Sequence, residues 1–282
     1  MKRIGFIGPG KVGCSFGRHI TEKSDGSYEV RGYFGRSKET AAAAAAMSGG
    51  RAFDTAEELA KECDLLLLTV PDNQIAELWA SLDLPDRIDP LMVGHCSGSQ
   101  SSEIFLAKPG CVFGSMHPIL AVPDKENSYS KFLGAYFTIE GDENFTAFTG
   151  ELLTALENPF CVIDAAYKTQ YHAAAVMVSN LVCAIAYQGV ETLKACGLDE
   201  KFADNAWRSL FLGNAENVAE LGPVLALTGP VERCDTKTVS RHLDALSGDI
   251  RETYLLLSRT LTETASRKNP DRDYSDMIEL LK

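Results

Sequence analysis

The chain has 282 residues, 45% of them hydrophobic and 23% charged, a balance that argues against disorder and against a fibrous repeat. Its length exceeds one small core, so two domains are expected. With a net charge of −12 and no Lys/Arg-rich run, nucleic acid is not an expected partner, and any anionic ligand must be held by local donors.

Through the first half, short aliphatic or β-branched runs alternate with helical patterns, the signature of a parallel sheet with crossover helices. Strands are predicted at residues 3–7, 30–34, 65–70, 91–95, 112–115, 135–140 and 160–164, and helices at 11–21, 41–47, 56–61, 73–82, 103–107 and 143–156. The alanines 41–46 read as a helix body, because Ala is the best helix former. After Asp164 the strands stop and helices follow at 165–196, 201–221, 236–247 and 250–266, punctuated by Gly222-Pro223 and Gly229-Pro230. The expected architecture is α/β: a doubly wound, mostly parallel sheet over 1–164, then an all-α domain over 165–282 for substrate and dimerisation, with 269–282 a last short helix or a loose end. None of the eight cysteines stands at CxxC spacing, so no metal or redox pair is expected and most should be reduced core thiols. Met1 leads directly into the apolar residues 4–7, too few for a signal peptide, and no apolar run reads as long enough to span a bilayer. A cytoplasmic location is the expectation.

Gly8-Pro9-Gly10-Lys11-Val12-Gly13 is a complete GxGxxG between the first predicted strand and the first predicted helix. Its glycines permit a tight turn, close approach of the backbone to a pyrophosphate, and close helix-to-strand packing, while the helix N-terminus offers unpaired N–H groups. The motif in this context predicts a dinucleotide-binding Rossmann domain, against the alternative of a structural glycine turn. The second strand runs into Gly35-Arg36-Ser37-Lys38 with no carboxylate for a ribose 2'-hydroxyl. Arg36 can offer a planar fork to a 2'-phosphate, and Ser37 and Lys38 further donors, so NADP is the predicted cofactor over the alternative of a solvated turn.

Ligands of a doubly wound sheet sit outside the carboxyl ends of its strands. Those ends carry Val70-Pro71-Asp72, His95-Cys96-Ser97-Gly98-Ser99 and Ser115-Met116-His117-Pro118. Val70, Pro71, Ser97 and Gly98 are candidate cofactor contacts; Asp72 reads as a helix N-cap, His95 as a core imidazole, and His117, placed in a loop, as a candidate functional group. Further on, Lys168 and His172 are spaced to lie about 40° apart on one helix face, about 6 Å along it. Lys168 is suited to protonate or polarise a carbonyl oxygen and His172 to orient it or share the proton; the alternative is a surface Lys and a core His. Ser179 continues that stripe, whereas Asn180 lies about 120° from Lys168. Arg233 and Asp235 suit an anion or each other, with Asp235 also a candidate N-cap, and His242 is expected on the helix that follows.

Gly-Pro-Gly-Lys-Val-Gly from Gly8, His-Cys-Ser-Gly from His95, Gly-Ser-Met-His-Pro from Gly114, Tyr-His-Ala-Ala-Ala from Tyr171 with Ser179-Asn180, and Thr-Gly-Pro-Val-Glu-Arg-Cys-Asp from Thr228 together make the chain resemble a family. It is the bacterial Rossmann-type NADP oxidoreductases with a C-terminal helical domain of unassigned function. They are distant relatives of ketopantoate reductase, pyrroline-5-carboxylate reductase, the 6-phosphogluconate dehydrogenase superfamily and the deazaflavin-dependent NADP reductases. The resemblance spans nearly the whole chain. It implies a catalytic Lys with an Asn one helical turn later; Lys168 matches the Lys, and His172 stands where the Asn would be. Cys234 stands where the family usually has Gly. A homodimer built through the helical domain is implied as well. The expected function is NADP-dependent reduction of a small carbonyl or imine compound, with Lys168, His172 and His117 as the catalytic groups. Two other readings stand beside it: a non-catalytic NADP-binding regulatory or sensor protein, and hydride exchange with a deazaflavin.

Overall fold

Leu65, Leu66, Leu67 and Leu68 are all fully buried, so they form a strand covered on both faces, as a central parallel strand must be. Leu65 and Leu67 join one hydrophobic cluster, Leu66 and Leu68 the other, and burying each side chain contributes about 1.5–3 kcal/mol. This strand, β4 (Leu65–Leu68), belongs to an eight-stranded sheet with β1 (Lys2–Ile7), β2 (Tyr28–Phe34), β3 (Arg51–Ala52), β5 (Leu91–His95), β6 (Cys111–Pro118), β7 (Phe137–Gly141) and β8 (Phe160–Val162). The order is β3-β2-β1-β4-β5-β6-β7-β8. All neighbours are parallel except β6 and β7. The computed structural model describes residues 1–84 and 87–282.

Helices α1 (Lys11–Lys23), α2 (Lys38–Ser48) and α5 (Glu143–Ala155) cover one face of the sheet through Phe16, Ile20, Ala41, Ala44, Phe145 and Leu152. Helices α3 (Ala56–Lys61) and α4 (Asp72–Ser81) cover the other through Leu59, Ile75 and Trp79. Local chemistry sets their starts. Ser37 caps α2 by accepting from the Thr40 N–H, and Thr55 caps α3 by accepting from the Glu58 N–H. Chain order reverses between β1 and β4, so the glycine turn after β1 lies at the switch point of the sheet.

Three sequence expectations change in this region. His117 is not in a loop: β6 runs on to Pro118, and His117 pairs with Thr138 of β7 in antiparallel register. The predicted helix 103–107 is one 3-10 turn, Ser102–Ile104, and the 3-10 turn Ser128–Phe132 was not foreseen. The predicted helix 165–196 is a 3-10 turn, Ala165–Tyr167, followed by α6 (Lys168–Met177) and α7 (Asn180–Ala195).

The chain divides into Met1–Ser179 and Asn180–Lys282. Residues 165–179 therefore go with the sheet and not, as expected, with the helical domain, because Lys168 at the head of α6 is buried and bonded to Ser97 and Ser115. The second unit contains α7, α8 (Glu200–Ala226), α9 (Thr236–Ala245), α10 (Gly248–Lys268) and α11 (Ser275–Leu280), which makes a helix of the 269–282 tail. Val231, Val239, Leu243, Ala265, Tyr274 and Met277 form its core. Gly222, with φ 76°, breaks α8 ahead of Pro223. Contrary to expectation, Ala165–Ala195 is long and apolar enough to cross a membrane by length and composition; it is interrupted between α6 and α7 and carries the buried Lys168. All eight cysteines are free thiols, but only Cys14 and Cys63 are core residues, while Cys161, Cys183 and Cys196 are exposed.

Candidate functional site

The turn after β1 is built for close approach. Gly8 has φ 100°, a conformation that disfavours any side chain. A Cβ on Gly13 would lie 2.5 Å from Thr69 Oγ1 and 2.8 Å from Gly8 O, so α1 can pack against β4 only with glycine there. Thr69 Oγ1 donates to Gly8 O at 2.7 Å and holds the turn to the neighbouring strand. Gly10 caps α1 without a side-chain acceptor, which leaves the N–H groups of the first turn available to an anion.

A cavity of 370 Å³ opens beside this turn, and Gly8, Pro9, Gly10, Arg36, Ser37, Val70 and Pro71 all line it. Lys11 is exposed, Val12 half-buried and Gly13 buried; they belong to the first turn of α1, not to the cavity wall. Within β2, Arg31 pairs with Glu62, and beyond the strand the exposed Lys38 pairs with Asp54. Arg36 is exposed and without an ion pair among the described residues. Ser37 Oγ donates to Glu39 at 2.6 Å while capping α2. The open glycine turn, the uncapped α1 terminus and the unpaired Arg36 fit a dinucleotide with a 2'-phosphate.

Beyond β5 the chain turns through Ser97, Gly98 and Ser99. His95 is fully buried and organises that turn: its Nδ1 accepts from the Ser97 N–H at 3.2 Å, so its proton lies on Nε2, which reaches Ser101 O at 3.3 Å. Burial pushes its pKa down to about 4 and keeps the ring neutral, as the core-imidazole reading has it. Asp72 does not cap α4, whose cap is Pro71; its carboxylate accepts from Ser97 Oγ at 2.5 Å and Ser99 Oγ at 3.4 Å.

Lys168 reaches the same turn from α6. Its Nζ donates to Ser97 O at 3.1 Å and to Ser115 Oγ at 2.8 Å. Ser115 Oγ in turn donates to Glu140 Oε2 at 3.0 Å, and the other carboxylate oxygen accepts from Ser102 Oγ at 2.7 Å. Glu140 is 4% exposed and Lys168 1%. Desolvation lowers the Lys168 pKa, opposed by the Glu140 charge. Neither the surface-lysine alternative nor a freely exposed amine describes this geometry.

One helical turn further, Tyr171 Oη and His117 Nδ1 are 2.7 Å apart, and the His172 ring meets the His117 ring edge to face, centroids 6.1 Å apart. Both histidines lie over Gly98, where a Cβ would be 2.6 Å from His172 Cδ2 and 2.8 Å from His117 Nε2. Desolvation, reinforced by the Lys168 charge, holds the His117 pKa down at about 4. The strand ends and α6 thus bring Ser97, Gly98, His117, Lys168 and His172 together. Sequence reasoning missed Glu140, an acid ending an apolar strand, and Tyr171, which stands in the Tyr-His-Ala-Ala-Ala motif but was given no role.

The remaining candidates have local duties. Ser179, in the break after α6, donates through Oγ to Ala175 O of that helix. Asp235 caps α9, accepting from the Thr238 N–H and hydroxyl. Arg233 is exposed. His242 Nδ1 lies 2.8 Å from Tyr254 Oη. Cys234, at the position where the resemblance implies Gly, has φ 57°.

Residues 3–90 match the family model for NADP oxidoreductase, coenzyme F420-dependent, and residues 135–261 match a domain of unknown function, DUF2520. Protein TM1727 from Thermotoga maritima is 26% identical, over 94% of this chain and 99% of that one, with a TM-score of 0.74. A reductive aminase from Aspergillus terreus in complex with NADPH and ethyl levulinate has a TM-score of 0.61 and 15% identity, covering 100% of both chains. A pyrroline-5-carboxylate reductase from Coxiella burnetii has a TM-score of 0.58 and 15% identity over 94% of this chain and 97% of that one. Among curated proteins no sequence matches.

Proposed function

From a chain that joins a Rossmann domain of the NADP oxidoreductase type to a C-terminal domain of unknown function, we propose an NADP-dependent reductase of a small carbonyl or imine compound. The observation that carries this reading is the presence of two prepared places in one unit: the glycine-turn cavity with its unpaired Arg36, and the His117–Tyr171–His172–Lys168 cluster around Gly98. The reductive aminase and the pyrroline-5-carboxylate reductase share the fold, and their names point to the same substrate class.

A reduced nicotinamide, when bound, would supply the hydride for the substrate carbon. The N–H groups of the first turn of α1 would hold the diphosphate, and Arg36, with Ser37 once its hydroxyl turns from Glu39, would hold the 2'-phosphate. With Tyr171 donating to His117 Nδ1, the proton of the neutral ring sits on Nε2, the atom that faces Gly98, where it would donate a hydrogen bond to the substrate oxygen or nitrogen, which takes its own proton from water once reduced. His172 packs against that ring and fixes its plane. Lys168 brings a positive charge beneath the turn and favours negative charge developing above it.

Exposed apolar residues on α7 and α8, among them Leu181, Ile185, Leu210 and Leu212, support a homodimer through the helical unit. The free thiols support a cytoplasmic location.

Thermal-shift titration with NADP, NADPH, NAD and NADH tests the cofactor, because a ligand of the folded state raises its melting temperature. A shift confined to the phosphorylated pair is expected; no shift with any of them overturns the proposal. An NADPH-oxidation screen with small carbonyls and imines then tests the chemistry. Lys168→Ala and His117→Ala are expected to abolish turnover with NADPH affinity within a few fold, and unchanged turnover refutes the roles given to them.

A further inference from the structure

We infer that Lys125 is a second cation for the dinucleotide, holding its diphosphate while Arg36 holds the 2'-phosphate. The inference rests on the NADP reading of the same cavity.

Lys125 belongs to the segment 119–127, which joins β6 to the 3-10 turn Ser128–Phe132 and comes from a distant part of the sequence. The segment is fastened along α1. Ser15 Oγ lies 3.4 Å from both Asp124 O and Lys125 O, Arg18 Nη1 donates to Glu126 O at 3.2 Å, and the Arg18 guanidinium stacks 3.5 Å from the centre of the Tyr129 ring. Asp124 Oδ1 tightens the turn by accepting from the N–H groups of Glu126, at 2.9 Å, and Asn127, at 2.6 Å. The backbone at Lys125 is thereby held beside the early turns of α1, and Lys125 lines the cavity with Gly8, Gly10 and Arg36.

The charge of Lys125 has no competing use. It forms no ion pair among the described residues, and among them no carboxylate lines the cavity. A chain with net charge −12 repels an anion at long range, so a diphosphate needs local cations beyond the partial charge of one helix terminus. Arg36 stands past the end of β2, whereas Lys125 approaches from the α1 side. The two cations so divide the ligand. One serves any dinucleotide; the other serves only the phosphorylated one.

Calorimetric titration of the whole chain with NADP⁺ and NAD⁺ tests this. Lys125→Ala is expected to weaken both ligands by the same factor, about tenfold, and to flatten the dependence of affinity on salt, while Lys125→Arg keeps most of the affinity. Lys125→Gln, which retains most of the side-chain stem, serves as the second variant if Ala lowers the melting temperature of the free protein. Unchanged affinity for both ligands, with wild type binding normally, overturns this inference alone. A loss confined to NADP⁺ overturns it too, because Lys125 would then be reading the 2'-phosphate. Wild type that binds neither ligand overturns the cofactor reading along with it.

Discussion

Ser115 of β6 stands directly opposite Glu140 of β7, and its hydroxyl donates to that carboxylate at 3.0 Å while accepting from Lys168 at 2.8 Å. One hydroxyl therefore links a buried cation to a buried anion across three elements. Neither charge is solvated by water to any extent, so each depends on the other through Ser115.

Removing one of the two charges strands the other. Lys168→Met should destabilise the fold by about 3 kcal/mol, read from the midpoint of urea unfolding. Adding Glu140→Gln to that variant removes the stranded charge, so the double variant should be more stable than the sum of the single losses by about 1 kcal/mol or more. Strictly additive losses would show that the two groups do not communicate.

Gly98 is the floor under both histidines. A methyl group there would sit 2.6 Å from His172 Cδ2 and 2.9 Å from His117 Cε1, so the rings must lift and the 2.7 Å contact between His117 and Tyr171 must loosen. Gly98→Ala is expected to cost about 1–3 kcal/mol in stability and to let water reach His117. Its pKa, followed by the ring proton resonances, should climb from about 4 toward the ordinary value; an unmoved titration would mean that the rings accommodate the methyl group without shifting.

How much of this was legible depended on the range of the interaction. The glycine turn, Arg36 and the pairing of Lys168 with His172 on one helix face follow from local backbone rules, and a single sequence carries those rules in full. The depth of Lys168 could not be read, because it is set by Ser97 and Ser115, on two other strand ends. Glu140 gained its place only through the antiparallel register of β6 and β7, and the same pairing drew His117 out of the expected loop and into a strand. Likewise Asp72 looked like a cap because its spacing to α4 was visible and its bond to Ser97 was not. The break at 178–179 was hidden by an unbroken apolar composition on both sides of it.

Two neutral histidines make the fold sensitive to mild acid. His95 and His117 have folded pKa values near 4, below the ordinary 6.5, so each folded ring resists a proton that the unfolded chain accepts. The stability they contribute is full above pH 6.5 and is lost as pH falls through that value toward 4, with a limiting slope of about 1.4 kcal/mol per pH unit for each ring. His19, lowered by burial as well, adds in the same direction. Urea midpoints measured from pH 8 to 4 should be flat at first and then decline, and His95→Gln should decline less steeply. Equal slopes for the two proteins would mean that His95 takes up its proton as readily in the folded state as in the unfolded chain.

The proposed function makes Arg36 the residue expected to separate the two dinucleotides. Arg36 lines the cavity, is exposed and has no ion pair among the described residues, whereas Arg31 of β2 pairs with Glu62 and Lys38 with Asp54. A charge-assisted, forked contact to phosphate contributes about 1.5–3 kcal/mol, or roughly 10- to 100-fold in affinity. Arg36→Ala should therefore weaken NADP⁺ by that factor and leave NAD⁺ within about twofold, since only the 2'-phosphate contact is lost. Measured by calorimetry, a parallel loss for both nucleotides would move Arg36 from the 2'-phosphate to a part that the two share.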